Sequence, residues 1–514
     1  MKIYTLLSII LLLFASQTIL QAVDPIEVGM QRELFVDHHV IGSKDIDPLF
    51  LGKPNAKTPH DRFFYLQGGR LAAVHAGDGK LFTKGEPYNL KNDLSEKKSI
   101  ASDNPAINLK IEQLTSGTKH HFFGYIGQCQ TIPWNASGRY VLGLEIDRID
   151  HLPTPDEAAT VFVIDTQRDN KILRLDKTHA WNPQQGTMFY WHPLKAETQF
   201  FFNDRDVKTG KVFVVLYDLE KKKRVREYKY DDSPIGNGGV AADGSVFLGL
   251  NYGRLARLRL VTGYPEALDW SKDEPAPKND GMFIVDIKTG QRRLLVSYRQ
   301  LNEALKQRNP KTQHSGLFIN HTLLNRKSDR VYFFVRAGWS GKKDDKINMP
   351  CSIHTDGSGL TLHDKHIGGH PEWAEDNLLI GRQGDNQIFY DVDKKKVVGQ
   401  LGTPKMFPKP EGDISLSPSG QWFVNGYKKN KKGEQNYYAV YRRTDGAFAR
   451  SEGVDKGSYS GDIRIDPAPR WNRTNDAILV PGIARNKTRQ MFVIRVTTTG
   501  ESPSVGAGHK KDGS

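Results

Sequence analysis

Short apolar segments alternate with polar turns along most of the chain, and this alternation is periodic. In the recurring unit, a polar turn leads into a hydrophobic strand, as in residues 133–140 before 141–144. Equivalent turns precede the hydrophobic segments 199–202, 246–250, 331–335, 378–380, 422–424 and 478–480. A pair of strands joined by a tight turn follows each copy, as at 160–164 and 171–175. Seven copies at a period of about 40–50 residues predict a seven-bladed β-propeller.

The predicted fold class is therefore all-β, with the seven-bladed propeller over residues 111–501 and an irregular N-terminal extension over residues 23–110. A β-sandwich would not need seven equivalent copies, and a helical solenoid would need a helical periodicity that is absent. Residues 32–37 predict a strand in the extension, which we expect to pack on the propeller and contribute to its closure. Residues 301–310 predict the one short helix, and the Gly-, Ser- and Lys-rich tail 502–514 is expected to be disordered.

The first 22 residues indicate export. Lys2 precedes an apolar run at 6–13 and a small-residue exit at Ala22, which is the arrangement of a cleaved secretory signal peptide. The run is too short and too interrupted to span a membrane. We expect a secreted or periplasmic monomer without a membrane span, whose Cys129 and Cys351 are buried thiols rather than a disulfide framework.

The charge balance indicates an anionic partner. Lys and Arg number 73 against 59 Asp and Glu, which gives a net charge of +14. Lysine runs in turns, as at 221–223 and 394–396, account for part of this excess. For an exported protein, an acidic polysaccharide or oligosaccharide is a better candidate than nucleic acid, which we do not expect as a partner.

Polar and aromatic side chains concentrate at the strand entrances of the early blades. The segments are 119–125, 181–186, 202–205, 251–257 and 263–265. Because they fall at similar places in the repeat, their loops are expected to meet at one end of the central channel. The predicted substrate contacts in these segments are Gln185, Asn203, Asn251, Arg254 and Arg257.

This composition suits elimination across a uronic acid. The reaction removes the proton next to a carboxylate, so it requires a cation on that carboxylate, for which Arg205, Arg254 or a metal ion would serve. It also requires a base and an acid, which His or Tyr would supply. In the purely structural alternative, residues 203–205 form a strand-end salt bridge and the tyrosines are rim aromatics.

A metal site is a further possibility. His321 and His370 stand at equivalent blade positions, and Asp413 would complete a site for a divalent ion. The alternative is that the backbone satisfies each histidine. The spacing of the histidines at 354, 363 and 366 fits no zinc motif. The sequence also lacks a Gly-x-Ser-x-Gly elbow, a Walker loop and a paired set of glycosidase carboxylates.

Together these segments resemble the seven-bladed polysaccharide lyases of the ulvan and rhamnose-glucuronate type and, more distantly, the oligogalacturonate lyases. The resemblance covers residues 110–500 and rests on 120–125, 133–140, 181–186, 203–205, 251–255, 320–321 and 369–373. It implies a carbon–oxygen lyase that cleaves acidic polysaccharide by β-elimination. It maps the catalytic roles onto His121, Tyr190 or Tyr252, and Arg205, and a metal onto His321 and His370.

The chain departs from this family at three places. Residues 124–127 read Gly-Tyr-Ile-Gly where relatives often read Gly-Tyr-Tyr-Asp. Residues 413–415 read Asp-Ile-Ser for His-Pro-Ser, and 468–471 read Ala-Pro-Arg-Trp for His-Pro-Arg-Trp, so two potential metal ligands are changed. The chain is interpreted as a divergent member. Two alternatives stay open: a non-catalytic propeller that binds glycan or an envelope partner, and an interaction scaffold like the periplasmic TolB-like propellers.

Overall fold

The computed structural model describes residues 107–124, 131–308, 316–339, 346–368, 370–408, 413–428 and 434–498, and the backbone of four strands between 62 and 89. The chain divides into two compact units, Met1–Asn104 and Pro105–Ser514. The predicted signal peptide, the strand at 32–37, Cys129 and the tail at 502–514 lie outside the described residues.

The first unit contains a four-stranded antiparallel sheet. Its strands follow one another in space in the order of the sequence, each paired with the next. They are β1 (Arg62–Gln67), β2 (Arg70–Ala76), β3 (Gly79–Phe82) and β4 (Pro87–Asn89).

The second unit is a seven-bladed β-propeller, which confirms the fold predicted from the repeats. Each blade is a four-stranded antiparallel meander, and the first strands of successive blades contact one another around the axis from blade 3 to blade 7. The seven hydrophobic segments of the repeat are the second strands of the blades. After β5 (Ile107–Gln113), the strands are, from the axis outward, β6 (His120–Phe122), β7 (Tyr140–Ile146), β8 (Ala159–Asp165) and β9 (Lys171–Thr178) in blade 1; β10 (Tyr190–Trp191), β11 (Gln199–Arg205), β12 (Val212–Asp218) and β13 (Lys223–Tyr228) in blade 2; β14 (Gly236–Val240), β15 (Val246–Leu250), β16 (Gly281–Asp286) and β17 (Arg292–Ser297) in blade 3; and β18 (Phe318–Leu324), β19 (Arg330–Ala337), β20 (Ile347–His354) and β21 (Thr361–Leu362) in blade 4.

The remaining three blades complete the ring. Their strands are β22 (Glu372–Trp373), β23 (Leu378–Gln383), β24 (Asn386–Asp391) and β25 (Lys396–Leu401) in blade 5; β26 (Ile414–Leu416), β27 (Trp422–Lys428), β28 (Gln435–Arg442) and β29 (Phe448–Arg450) in blade 6, where β30 (Val454–Asp455) also pairs with β28; and β31 (Arg470–Trp471), β32 (Ala477–Ile483) and β33 (Arg489–Thr498) in blade 7. The fourth strand of blade 7 is β5, whose pairing with β33 runs from Phe492↔Gln113 to Thr498↔Ile107. Residues from the two ends of the unit therefore form one sheet.

The core lies between the blades. Every residue of β11 and β12 is buried because neighbouring blades cover both faces of these middle strands. This explains why they read as continuous hydrophobic runs rather than as alternating ones. Indole Nε1 groups from three first strands also donate to backbone oxygens of the preceding blade, from Trp191 to Pro133, from Trp373 to Leu323 and from Trp471 to Ser415.

Within the described residues, two α-helices interrupt the strands. α1 (Tyr252–Leu258) and the 3₁₀ turn Leu260–Thr262 lie in the link between β15 and β16, and the sequence pattern did not predict them. α2 (Tyr298–Lys306) begins three residues before the predicted segment because Ser297 and Gln300 form a capping box. A second short 3₁₀ turn is Gly461–Ile463. Within the described residues, no helix is long and apolar enough to cross a membrane.

The meander topology divides the connections between two poles. In each blade, the link between the second and third strands and the link to the next blade open at the same pole. We call this the link pole; it includes residues 147–158, 206–211, 251–280 and 456–469. The tight turns of the repeat lie at the opposite pole, which we call the turn pole.

Candidate functional site

A pocket near the axis at the link pole has two chambers of about 40 and 20 Å³, which we label the outer and the inner chamber respectively. The two chambers share Gln185, Thr262 and His321, and we call them together the axial pocket. One water molecule needs about 10–15 Å³ on this measure. The outer chamber therefore accommodates a carboxylate group, while a sugar ring would remain at its mouth.

His321 reaches the axial pocket from a distorted strand. The register between β18 and β19 shifts between Asn320 and Leu323, and His321 has a φ of +53°. The first strand of blade 3 has a shift at the matching place, but there the chain is Gly238-Gly239. A left-handed backbone suits glycine and is strained for histidine. The strain at His321 directs an imidazole into the pocket, as bulges near active sites do.

The environment of His321 keeps its ring neutral. Burial, followed by the positive charge of Arg336, lowers the pKa of His321 well below its ordinary value, and His370 and Arg259 act in the same direction. The ring contacts the edge of Phe334 and makes no hydrogen bond within the described part of the chain. A neutral imidazole that faces a pocket is available as a base.

His370 lies beside His321, with 5.0 Å between their ring centroids. Its Nδ1 is 2.5 Å from Oδ1 of Asp413, and the other carboxylate oxygen of Asp413 accepts the backbone N–H of Ala468. Burial alone would raise the pKa of Asp413, but its interactions with His370 outweigh burial and lower this pKa. The carboxylate therefore stays ionised and orients the His370 ring.

Three arginines line the outer chamber. Arg489 donates to the carbonyl oxygen of Pro183 and lies over the ring of Phe122, and burial lowers its pKa to about 10. Arg464 is held by Asp466 and by the carbonyl of Gly461.

Arg259, the third arginine, caps the C-terminal end of α1. Its guanidinium makes no hydrogen bond within the described residues, while burial and the nearby Arg464 lower its pKa. Asp466 also lines the outer chamber and pairs with Arg464, so three arginines against one carboxylate leave the chamber net cationic and suited to an anion.

Gln185, which the sequence predicted as a substrate contact, lines both chambers. The tight loop from Asn182 to Gly186 presents it, because Asn182 Oδ1 accepts the backbone N–H groups of Gln184 and Gln185. Gly186 has a φ of +64°, and a side chain at this position would collide with Phe123.

The donor set of the axial pocket does not fit a divalent metal ion. Within the described residues, no group of three or more His, Cys, Asp or Glu side chains is arranged to hold one. His321 and His370 supply two nitrogens, but Asp413 is committed to His370 and to a backbone N–H. The three arginines add positive charge where a cation would sit.

Two arginines predicted to bind the carboxylate have other partners. Arg205 ends the second strand of blade 2 and Arg254 follows the second strand of blade 3, so both lie at the link pole, but neither lines the axial pocket. Arg205 donates to the carbonyl oxygens of Pro155 and His179. Arg254 is fully buried and donates to the carbonyls of Leu317, Ser271, Glu274 and Pro275 and to Ser271 Oγ. These arginines hold links in place because their N–H groups satisfy buried backbone oxygens.

His121 also lies away from the axial pocket. It is buried in β6, where Nδ1 contacts Oε1 of Gln490 and Nε2 contacts Oε2 of Glu145. Glu145 in turn accepts two hydrogen bonds from Arg174. The histidine therefore belongs to a buried polar network between blades 1 and 7 rather than acting as a catalytic base.

The predicted tyrosines form part of the wall. Tyr252 lines the inner chamber, stacks on Tyr264 at 4.4 Å between centroids and donates to the carbonyl of Asn237. Burial raises the pKa of Tyr252 well above its ordinary value, so it does not supply a base. Tyr190 is buried beside it and does not line either chamber. Asn203 is buried and donates to Tyr264 and to the carbonyl of Asn237.

The remaining predicted contacts organise the link that carries α1. Asn251 caps the helix by accepting the N–H of Arg254, and its amide donates to Asp269 and Asp280. Arg257 pairs with Asp269 on the outer side of the helix. These contacts fix the link and thereby place Arg259, two residues beyond Arg257, in the pocket.

The sequence motifs missed the three arginines of the outer chamber. Arg464 lies in a polar link without a repeated pattern, and Arg489 is the first residue of β33. Arg259 follows the predicted segment 251–257, so its proximity to that segment was the only signal available.

The fold and the site define a seven-bladed β-propeller with a cationic pocket near its axis. No protein family profile matches the chain, and no curated protein matches it. Among solved structures it is similar to an oligogalacturonate lyase in complex with manganese, with a TM-score of 0.52, 13% identity and coverage of 77% of this chain and 97% of that one.

An oligogalacturonate lyase from Vibrio parahaemolyticus gives a TM-score of 0.49 at 12% identity, over 76% of this chain and 98% of that chain. The Cps50 (Swd1) propeller domain of Myceliophteria thermophila gives 0.40 at 12% identity, over 76% and 100%. At these identities the similarity shows the fold alone.

Proposed function

We propose that the protein is a polysaccharide lyase that cleaves uronic-acid-containing polysaccharide by β-elimination in the axial pocket. One observation carries this proposal. The neutral imidazole of His321, which makes no hydrogen bond within the described residues, faces the same chamber as Arg259, Arg464 and Arg489. A base beside a cationic carboxylate site is the combination that elimination next to a carboxylate requires.

The arginines would bind the substrate carboxylate. The outer chamber has room for this group alone, so the sugar ring would lie at the mouth with its carboxylate inserted. Charge that develops on the carboxylate as the neighbouring proton leaves is stabilised by guanidinium groups already in place. This assigns to Arg259, Arg464 and Arg489 the role predicted from sequence for Arg205 and Arg254.

The proton transfers follow from the two histidines. His321 removes the proton from the carbon next to the carboxylate, and the electron pair of that bond forms a carbon–carbon double bond. The glycosidic carbon–oxygen bond breaks, and the leaving oxygen takes a proton from His370, whose ring Asp413 orients. Product therefore carries an unsaturated uronate end.

This proposal requires no metal ion, and in that respect it differs from a proposal based on fold similarity. One oligogalacturonate lyase of similar fold is in complex with manganese. Because the donor set here does not fit such an ion, the proposal assigns charge stabilisation to the arginines. We expect activity to survive dialysis against a chelator, and loss of activity with recovery on adding manganese would contradict this assignment.

The decisive experiment incubates the purified chain with uronate-containing polysaccharides and follows ultraviolet absorbance from new unsaturated ends. His321→Gln is expected to lower kcat/KM by about 10²–10⁴-fold, the usual contribution of a general base. His354→Gln is the matched control, because His354 lies at the turn pole beside Arg330. No product from any substrate, with or without divalent metal, would overturn the lyase proposal.

A binding function without catalysis is the second candidate, favoured by the small outer chamber, which admits a carboxylate but no ring. In that case the pocket would hold an acidic glycan by the charged groups of the glycan. Glycan binding without an unsaturated product, unchanged in His321→Gln, would support it.

Export is also part of the proposal, on the strength of the signal-peptide pattern in residues 1–22. The N-terminal sequence of the mature protein tests it. A mature chain that retains Met1 would contradict cleavage near Ala22.

A further inference from the structure

The tight loop at residues 182–186 connects the three parts of the chain that carry the arginines of the outer chamber. We call it the axial loop. It lies in the link between blades 1 and 2, and its residues Pro183, Gln184 and Gln185 line the outer chamber. The carbonyl oxygen of Pro183 accepts a hydrogen bond of 2.7 Å from Arg489, at the start of β33. The axial loop therefore holds one arginine through its backbone.

The side chain of Gln184 makes the second connection, to the link 456–469. Its Oε1 accepts from Arg464 Nη2 at 3.4 Å, and its Nε2 donates to the carbonyl oxygen of Asp462 at 3.1 Å. The amide thus contacts both the guanidinium and the backbone of the link that carries it. Because an amide accepts and donates at once, glutamine makes both bonds without bringing a charge.

The third connection reaches the link that carries Arg259. Asn182 Nδ2 donates at 3.2 Å to the carbonyl oxygen of Gly263, which lies just beyond Arg259 in the same link. Asn182 is buried, and its Oδ1 accepts the backbone N–H groups of Gln184 and Gln185. One side chain therefore fixes the shape of the axial loop and joins it to the third arginine segment.

These contacts hold arginines that repel one another. Burial, followed by the positive charge of Arg464, lowers the pKa of Arg259, so the two guanidinium groups are close enough to interact. Asp466 already pairs with Arg464. A second carboxylate beside Arg464 would hold it firmly but would offset the charge that a substrate carboxylate needs. A neutral amide holds the guanidinium and leaves that charge available to a ligand.

We infer that Gln184 is a positioning residue, which holds Arg464 at the outer chamber without neutralising it and so sets the affinity of the pocket for the substrate carboxylate. This inference rests on the proposed function and specifies what its carboxylate site requires at residue 184. An uncharged side chain that hydrogen-bonds there favours an anionic ligand, whereas a carboxylate there would oppose one.

The test measures binding of glucuronate, a single sugar with one carboxylate, to the full chain by titration followed in the NMR signals of the ligand. Gln184→Met makes neither bond and is expected to weaken binding by about three- to tenfold, the size of one lost hydrogen bond. Gln184→Glu is expected to weaken it by about 10–100-fold, because a second anion beside the chamber repels the ligand.

Thermal stability is expected to rank these variants in the opposite order. The carboxylate of Gln184→Glu can still accept from Arg464, so its melting temperature is expected to equal or exceed that of Gln184→Met. A merely structural role would make affinity follow stability. Gln167→Met and Gln167→Glu are the matched controls, because Gln167 is an exposed glutamine in the turn between β8 and β9. Neither is expected to change binding by more than about twofold.

Two outcomes would overturn the inference and leave the lyase proposal in place: binding by Gln184→Met equal to that of wild type, or equal binding by Gln184→Met and Gln184→Glu. Absence of glucuronate binding by the wild-type chain would overturn it as well, while the lyase proposal is judged separately by its unsaturated product. Weakened binding in the expected order without an unsaturated product would support the positioning role and reject the lyase.

Discussion

At the scale of single residues, Glu372 is a buried carboxyl group whose ionisation is expected to affect stability. It lies in the first strand of blade 5, and neither carboxylate oxygen has a side-chain partner within the described residues. Burial raises its pKa to about 7, against the opposing charges of Arg470 and Arg326.

Because an unfolded chain releases this proton near pH 4.5, the native state binds more protons between about pH 4.5 and 7. Stability is therefore expected to fall as pH rises through this interval, by an amount on the order of 3 kcal/mol, and to level off above it. Glu372→Gln is expected to flatten the dependence when urea unfolding is measured from pH 5 to 8. The exposed Glu375→Gln is the control, and parallel curves for wild type and Glu372→Gln would contradict the assignment.

At the scale of secondary-structure elements, the bulge in β18 makes stability and activity separable. His321→Gly relieves the left-handed backbone strain of about 1 kcal/mol, which offsets the greater freedom of glycine in the unfolded chain. We expect a melting temperature within a few degrees of wild type together with loss of lyase activity. His321→Ala is expected to lose activity and to keep the strain. A large fall in melting temperature in His321→Gly alone would show that the imidazole is a packing element.

The elements themselves were predictable because each blade repeats the same local chemistry. A polar turn, a hydrophobic second strand and a hairpin recur, and the second strands are buried on both faces whatever their exact sequence. α1 was not predicted, since seven residues capped by Asn251 lack a sustained helical period. Its position depends on buried hydrogen bonds from Arg254 to the link, which form only in the folded chain.

The site was less predictable than the fold because the contacts of its side chains form only in the folded chain. An arginine at the end of a strand reads alike in sequence whether it lines a pocket, as Arg489 does, or only holds links through their backbone carbonyls, as Arg205 does. His321 and His370 could be placed together because His321 lies in a first strand and His370 lies just before one, and first strands converge on the axis. Arg259 and Arg464 enter the pocket from links of different length and Arg489 enters it from the start of β33, so no spacing marked them.

At the scale of the whole molecule, β5 joins the two ends of the propeller. Leu109 and Ile111 pack against the apolar core between blades 6 and 7. Leu109→Asp together with Ile111→Asp is expected to lower the free energy of unfolding by about 2–3 kcal/mol, because two partly buried side chains lose their apolar contacts. Hydrogen exchange is expected to increase in β33, its pairing partner.

The control for this prediction is Val398→Asp. Val398 lies in β25, the outer strand of blade 5, and the four strands of that blade are consecutive in the sequence. This variant is expected to leave exchange in β33 unchanged. Equal exchange in β33 for both variants would show that the seventh blade does not depend on β5.

The pairing of β5 with β33, which closes the ring, also determines the order in which the blades can be completed during folding. Thr115, just after β5, bonds the backbone of Met491 in β33 across 376 residues of sequence. The strands of each of blades 1 to 6 come from one continuous stretch of chain, whereas blade 7 combines β5 with β31–β33 and cannot be completed until the last strand arrives. Long-range pairing of this kind is slow. An incomplete chain would therefore expose an open ring edge, where a protease or a second molecule could bind before the ring is sealed.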